Sequence, residues 1–466
     1  MLPLASRRFS RGAPASRTLI TNARLLTLHP GAEFVEPASL VLQDGIVGAV
    51  LEEPEPRDAH AEVLDAAGAL VLPGFVNAHT HCYGALVRGL NEPIVAGDFA
   101  ELLRSLWWRL DAELELEDVD LSATLAALDG LRLGVTSVFD HHASYSAIEG
   151  SLDAVARGLE AAGQRGVLCF EVSDRAGPGA ARAALGENAR YARQARRLPF
   201  HLGAMLGLHA SFTLSDATLE EAAGIATGSG LRMHIHAAED RVDRVPEASE
   251  GTGVVERLDR FGLLQPGSLV AHGVHLGERE LRRLGERGVV VVHNPRSNMN
   301  NGVGTCDVGA LVRAGIQVAL GTDAYGAGML AEARTATLVQ RQHPRLGDGG
   351  VVSECLLQAN PQLVSMLLPG AGRLRPGSPA DVVVTRYLPP TPLDAGNAWG
   401  HLLFGDVESR VRSVFVAGHR VIDEGCSTRL DEREISGRCR ERAARLWTRF
   451  RDARPSWQRV DLRGEG

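Results

Sequence analysis

The run ALVLPGFVNAHTH (residues 69–81) is almost uninterruptedly apolar until it ends in two histidines one residue apart. A strand buried on both faces reads this way, whereas a half-exposed strand alternates. Seven runs of the same kind follow: VTSVFDHH (135–142), RGVLCFEVSD (165–174), LGAMLGLHAS (202–211), LRMHIHAAE (231–239), SLVAHGVHL (268–276), GVVVVHNPRSN (288–298) and IQVALGTDA (316–324). Most intervening segments carry helical periodicity, as in LEDVDLSATLAALDGLRLG and DATLEEAAGIATG. Eight strand–helix units over roughly 250–300 residues predict an α/β fold of the (β/α)₈ barrel type. On pattern alone the alternative is a doubly wound sheet.

The chain ends read differently. TLITNARLLTL (18–28) and SLVLQDGIVGAV (39–50) are strand-like, with a turn at QDG. GRLRPGSPADVVVTRYLPP (372–390) reads as turn and strand, and RVRSVFVAGHRVIDEG (410–425) as a hairpin across Ala417-Gly418. Residues 18–70 and 373–430 are therefore expected to form one composite β-sandwich domain around the barrel of residues 71–372. DEREISGRCRERAARLWTRFRDARPSW predicts an amphipathic helix in a C-terminal tail (431–466) that docks Leu446, Trp447 and Phe450. Residues 1–17 are Arg- and Ser-rich without an acid, and are expected to be a disordered extension.

Composition narrows the chemistry. With 44% hydrophobic and 23% charged residues over 466 positions, a real core is available. The net charge of −8 presents no basic field for a nucleic-acid partner. No lysine occurs, so a Schiff-base lysine, a P-loop lysine and a carbamylated lysine bridging two metals are all excluded. The six cysteines show no CxxC pair, which fits reduced thiols in the cytoplasm better than a disulfide framework or a zinc ribbon. No apolar run approaches the roughly 18 residues that span a bilayer.

Barrel enzymes place their chemistry at the C-terminal ends of the strands. His79 and His81 alternate at the end of the first, so both imidazoles can reach one metal. A lone HxH is a weak signal, since strand histidines are often surface residues. The fifth strand ends HIHAAE, where His236 is taken as a ligand and Glu239 is left free for proton transfer. His234 shares the face of His236, but lies farther from the strand end. His272 closes the sixth strand and Asp323 follows the eighth. Three imidazoles and a carboxylate suit one Zn²⁺ or Fe²⁺, with a position left for water.

VLPGFVNAHTH, HIHAAE, VAHGVHL, VVHNPRSN and LGTD resemble the amidohydrolase superfamily, in its cytosine deaminase, guanine deaminase and triazine hydrolase branch. LLRSLWWRLD, VFDHHASYSAIEGSLDAV, EVSDR, GLHASFTLSD and HNPRSNMNN are more closely similar to the SsnA aminohydrolase family. The resemblance implies a barrel with a composite β-sandwich, one divalent metal per chain, and hydrolysis of an aminated heterocycle. It assigns His79, His81, His236 and Asp323 as ligands, Glu239 as proton shuttle, His272 as a contact of the attacking water, and His209 as a substrate contact. GTDAYGAG departs from the family pattern, which carries Gly after the aspartate, and so leaves the ligand set intact but not the substrate-side loop.

Further candidates for the substrate wall are Asp140 and His141 at the end of strand two, His293 at the end of strand seven, and Trp107 and Trp108 in a helix after strand one. Asp140 reads equally as a structural cap. Adjacent tryptophans cannot both face a core, so one is expected to stack on a planar ring. Cys82 reads as packing. The only arginine placed at a strand end is Arg296, so a free heterocycle of purine or pterin size is expected, and not a phosphorylated nucleotide. The same site could open a cyclic amide or displace a halide; a non-catalytic scaffold is disfavoured by the complete ligand set. Water and the heterocycle are the expected partners, with neither nucleic acid nor membrane, in a homodimer.

Overall fold

The computed structural model describes residues 17–27, 34–52, 61–91, 98–196, 202–243, 253–342 and 358–453. Of the extension expected over residues 1–17, residues 1–16 lie outside them, and Arg17 opens the first strand. Five strands precede the barrel: β1 (Arg17–Leu26), β2 (Phe34–Gln43), β3 (Ile46–Leu51), β4 (Glu62–Asp65) and β5 (Leu70–Pro73). The barrel strands are β6 (Phe75–Thr80), β7 (Val135–His142), β8 (Arg165–Phe170), β9 (Leu202–Ala204), β10 (Leu206–Ala210), β11 (Met233–Ala237), β12 (Leu269–His272), β13 (Val290–His293) and β14 (Gln317–Leu320). Four more follow: β15 (Val382–Thr385), β16 (Val411–Val416), β17 (His419–Asp423) and β18 (Cys426–Ser427).

The end strands pair in the order β18-β17-β16-β15-β5-β1-β2-β3, with β4 added on β1. Ladder pairing thus makes the composite β domain one nine-stranded sheet, branched at β1, rather than two separate sheets. Its apolar cluster draws Ile20, Leu40, Val71, Val382 and Phe415 from both ends of the chain. Ala417 and Gly418, both at positive φ, close the β16–β17 hairpin, a turn that twists with its strands.

The run at 69–81 divides between two sheets. β5 pairs with β1 and β15, whereas β6 pairs with β7. The domain boundary therefore falls at Gly74, inside what reads as one strand, because a continuous apolar run carries no mark of the change of partner. The expected fourth barrel strand is likewise two pieces, broken at Met205: β9 pairs with β8 and β10 with β11.

The barrel strands form two parallel sheets, β6-β7-β8-β9 and β10-β11-β12-β13-β14, that meet at two seams. One is bridged by Val172 and Leu208. At the other, the Asn360 amide donates to the carbonyls of Val76 and Leu320, both at 2.7 Å. Val76, Phe139, Val167, Leu269, Val292 and Leu363 fill the interior with one apolar cluster. Among the described residues no helix is long and apolar enough to cross a membrane.

The helix Glu432–Asp452 docks on the helix Leu116–Arg132. Leu446 and Phe450 are fully buried, and the Trp447 indole donates to the Leu86 carbonyl at 2.9 Å. Beneath them Asp118 receives Arg442 at 2.8 Å and Arg449 at 2.5 Å.

One buried ion pair joins barrel to sheet. Arg165 of β8 donates to Asp381 at 2.8 Å with side chains 2% and 0% exposed, and the other Asp381 oxygen accepts the Ala417 N–H. Arg165→Met leaves a buried carboxylate without its cation. A loss of roughly 3–5 kcal/mol is expected from urea unfolding, since removing one partner of a buried pair costs that much. Replacing both, as Arg165→Met with Asp381→Leu, should recover much of it; a single variant as stable as the parent would refute the pair's role.

Candidate functional site

His79 and His81 leave the end of β6, His236 the end of β11, and Asp323 the loop after β14. Ligand-capable atoms of these four buried residues all lie within 4.8 Å of one another. His81 Nε2 is 3.0 Å and His79 Nε2 3.7 Å from Asp323 Oδ1, and the Nε2 atoms of His81 and His236 are 3.2 Å apart. Gly321 makes the approach possible: a Cβ there would fall 2.6 Å from Asn294 Oδ1 and 2.8 Å from His79 Cβ. The N–H groups of Thr322 and Asp323 both donate to the His79 carbonyl, fixing the aspartate beside the histidines.

Each imidazole is oriented through its other nitrogen. Nδ1–H of His81 donates to the His141 carbonyl at 2.5 Å, and that of His236 to the His209 carbonyl at 2.9 Å. His79 Nδ1 lies 2.9 Å from His234 Nε2. The Nε2 lone pairs of His81 and His236 are thereby turned inward on a carboxylate, beside His79 Nε2, which is buried with no hydrogen-bond partner. Lone pairs this close repel unless a cation lies between them, so the donor set fits one divalent metal. The demand for positive charge shows in His81: burial works against its cation, but the hydrogen bond and charge of Asp323 prevail and raise its pKa to about 9. For His79, whose Nε2 stands farther from Asp323, burial outweighs the same carboxylate and, with the charge of His81, pushes the pKa down to about 3.

His272 and Glu239 stand beside the cluster. Nδ1–H of His272 donates to Asn298 at 2.8 Å, leaving a buried Nε2 at 3.5 Å from Glu239 and 3.9 Å from Asp323. Burial lowers the His272 pKa and keeps the ring neutral. Burial, reinforced by the charge of Asp323, pushes the Glu239 carboxyl well above the usual range. Burial also opposes ionisation of Asp323, but the His79 and His81 imidazoles beside it outweigh this and hold the carboxyl well below the usual range. Ser297 donates to the second Asp323 oxygen. Ala238, His272 and Asp323 all hold positive φ, the strained backbone that concentrates at functional sites.

A cavity of about 70 Å³ opens over the cluster, walled by Phe99, Trp107, Trp108, Glu171, His209 and Tyr325 among others. Both tryptophans reach it, where one was expected. The segment Leu103–Trp107 is a π-helical turn, whose i→i+5 bonding puts more residues in a turn than the spacing an α-helix imposes. Trp107 meets Tyr83 edge-on at 6.2 Å, and Trp108 meets His209 at 5.9 Å. His209 also lies against Thr213, 2.7 Å from its Nδ1.

Asp140, His141 and His293, read as wall candidates, are not among the residues lining this cavity. Asp140 accepts the Cys82 N–H at 2.7 Å and so holds the turn after His81. His141 stands behind the ligands, its ring 3.4 Å from Glu171. His293 is buried with neither ring nitrogen partnered. Arg296 also lies off this cavity, paired with Glu332 at 2.5 Å.

Sequence reasoning missed Asp111, Glu171 and Arg175. Arg175 follows β8, so a second arginine stands at a strand end, contrary to the expectation for Arg296 alone. It pairs with Asp111 and, at 3.2 Å, with Glu171, and is thereby neutralised. Glu171 was discoverable, as the residue directly beyond an apolar run. Asp111 was not, since its partner lies 64 positions away.

Comparison with known proteins agrees with this geometry. The chain is 31% identical over 447 residues to a 5-methylthioadenosine/S-adenosylhomocysteine deaminase of Desulforudis audaxviator, covering 92% of this chain and 99% of that one. It is 29% identical to a 5'-deoxyadenosine deaminase of Methanosarcina mazei, covering 92% and 98%. A zinc-bound adenosine deaminase structure from Xanthomonas campestris superposes with a TM-score of 0.81 at 25% identity, covering 93% and 99%. Residues 70–421 match the Amidohydrolase family, to which this chain belongs.

Proposed function

We propose that the protein is a metal-dependent aminohydrolase that replaces the exocyclic amine of a small aminated heterocycle by oxygen and releases ammonia. The convergence of three imidazole Nε2 atoms and Asp323 beside a raised Glu239 carboxyl carries this reading. The ion would be held by His79, His81, His236 and Asp323; this donor set and the zinc-bound relative favour Zn²⁺ over Fe²⁺. A divalent ion there supplies Lewis acidity and lowers the pKa of water towards neutrality. His272, its Nδ1 proton engaged by Asn298, keeps an Nε2 lone pair to accept a proton from the attacking water. Asp323, with Ser297 on its second oxygen, orients that water. Glu239, held protonated, gives its proton to a ring nitrogen and makes the amine-bearing carbon electrophilic. It takes the water's second proton and passes it to the departing amine, and the proton held by His272 returns to Glu239, so ammonia leaves, the keto product remains and both groups are restored. Among the described residues the thiols of Cys82, Cys169, Cys306 and Cys439 are free and buried, which supports a reducing, cytoplasmic setting.

The relatives named for 5-methylthioadenosine and 5'-deoxyadenosine extend the substrate class from free bases to nucleosides without a 5'-phosphate. The pairing of Arg175 with Asp111 and Glu171 supports a neutral ligand. Ammonia release from adenine, adenosine, 5'-deoxyadenosine and adenosine 5'-monophosphate under one condition tests this. The monophosphate is expected to be the poorer substrate by roughly 10²-fold in kcat/KM, the cost of a charged group left without partners. A preference for the monophosphate would overturn the assignment, and absence of ammonia from a full panel of aminated purines, pterins, pyrimidines and triazines would overturn the aminohydrolase reading.

A further inference from the structure

His234 takes no part in the chemistry above, yet it is buried against a proposed metal ligand. Its Nε2 lies 2.9 Å from His79 Nδ1, and its Nδ1 lies 3.9 Å from the Cys169 sulfur. The Cys169 thiol in turn donates to the Asp140 carbonyl at 3.6 Å. All of these side chains are buried in the barrel.

We propose that His234 and Cys169 are positioning residues, a hydrogen-bonded relay that selects the tautomer of His79 and so presents its Nε2 lone pair to the metal position. This rests on the metal-site reading above. A lone pair on Nε2 requires the His79 proton on Nδ1, where it donates to His234 Nε2. Neutral His234 then carries its own proton on Nδ1 and gives it to the sulfur, and the thiol proton goes to a carbonyl that can only accept. That terminal acceptor biases the chain in one direction. His81 and His236 need no relay, because each donates straight to a backbone carbonyl. Alternation on β11 explains the arrangement: His234 and His236 share a face, so one meets the cluster and the other supports the ligand arriving from β6.

The test is metal affinity of the full chain, read by competition between protein and a chelator for Zn²⁺, alongside the visible spectrum of the Co²⁺ form and the melting temperature of the metal-free form. His234→Leu is expected to weaken Zn²⁺ binding roughly 10–100-fold, the usual effect of losing a partner behind a ligand, and to change the Co²⁺ spectrum. His234→Gln places an amide oxygen near the lost Nε2 and should restore most of the affinity. Cys169→Ala should weaken binding in the same direction by a smaller factor, and carries the test alone if His234→Leu does not fold. Unchanged affinity and spectrum in a folded His234→Leu or Cys169→Ala variant, with only the metal-free melting temperature lowered, would make these residues packing and overturn the relay. A wild-type protein that binds no Zn²⁺ or Co²⁺ would instead remove the metal-site reading and the relay with it.

Discussion

Glu239→Gln is expected to retain its metal and to lose turnover by about 10²–10⁴-fold, the range ascribed to general acid–base catalysis. The carboxylate lies beside His272, and it is absent from the group His79, His81, His236 and Asp323. Glutamine preserves the shape and one oxygen for the hydrogen bond with Asn301, so the fold of the site should survive. What it cannot do is give up and regain a proton at the substrate ring. Metal content measured on the same preparation separates the two functions. If the metal is lost with the activity, Glu239 is a ligand and the assignment at the end of β11 is wrong. If activity is retained, proton transfer runs through another group, such as His272 at 3.5 Å.

The site was legible where chemistry coincides with a break in an apolar run. His79, His81, His236, His272 and Asp323 all stand at or just beyond strand ends, and a barrel brings such ends together from positions far apart in the chain. Legibility failed for the residue that stands behind a ligand. Alternation puts His234 and His236 on the same side of β11, and nearness to the strand end picks out His236 for the cluster, but nothing local shows that His234 lies against His79. It failed again at the paired tryptophans, because α-helical periodicity does not anticipate the π-turn at Leu103–Trp107.

Pairing across the chain was the least legible layer. Asp111, Glu171 and Arg175 form one buried ionic group from two segments 60 or more positions apart, and Asp111 alone reads as an ordinary surface charge. Likewise, the change of sheet at Gly74 depends on β15, more than three hundred residues downstream, which pairs with β5 but not with β6. HNPRSN is a different case. Its spacing was visible, but the work of Ser297 on Asp323 and of Asn298 on His272 emerges only once the helix Pro295–Asn300 is placed beside both strands.

His236→Ala is expected to strip the metal while leaving the fold. The wild-type chain should hold about one divalent ion, and the variant's affinity should fall by more than about 10²-fold, since loss of a partner behind a ligand already costs roughly 10–100-fold. The stoichiometry of one follows from lone pairs. His141 and Glu171 form a second potential ligand group with His81 and His236, alternative to the group with His79 and Asp323. Nδ1 of both shared histidines is engaged by a backbone carbonyl, leaving each a single lone pair on Nε2. One lone pair cannot serve two ions, and no lysine exists to bridge them after carbamylation. These two groups therefore compete for one ion and do not add, and a third, Glu239, His272 and Asp323, shares Asp323 with the first, its second oxygen already accepting from Ser297. Elemental analysis of the purified chain decides the matter: two tightly bound ions per chain would refute the argument from lone pairs, and a His236→Ala protein that keeps its ion would remove β11 from the metal site.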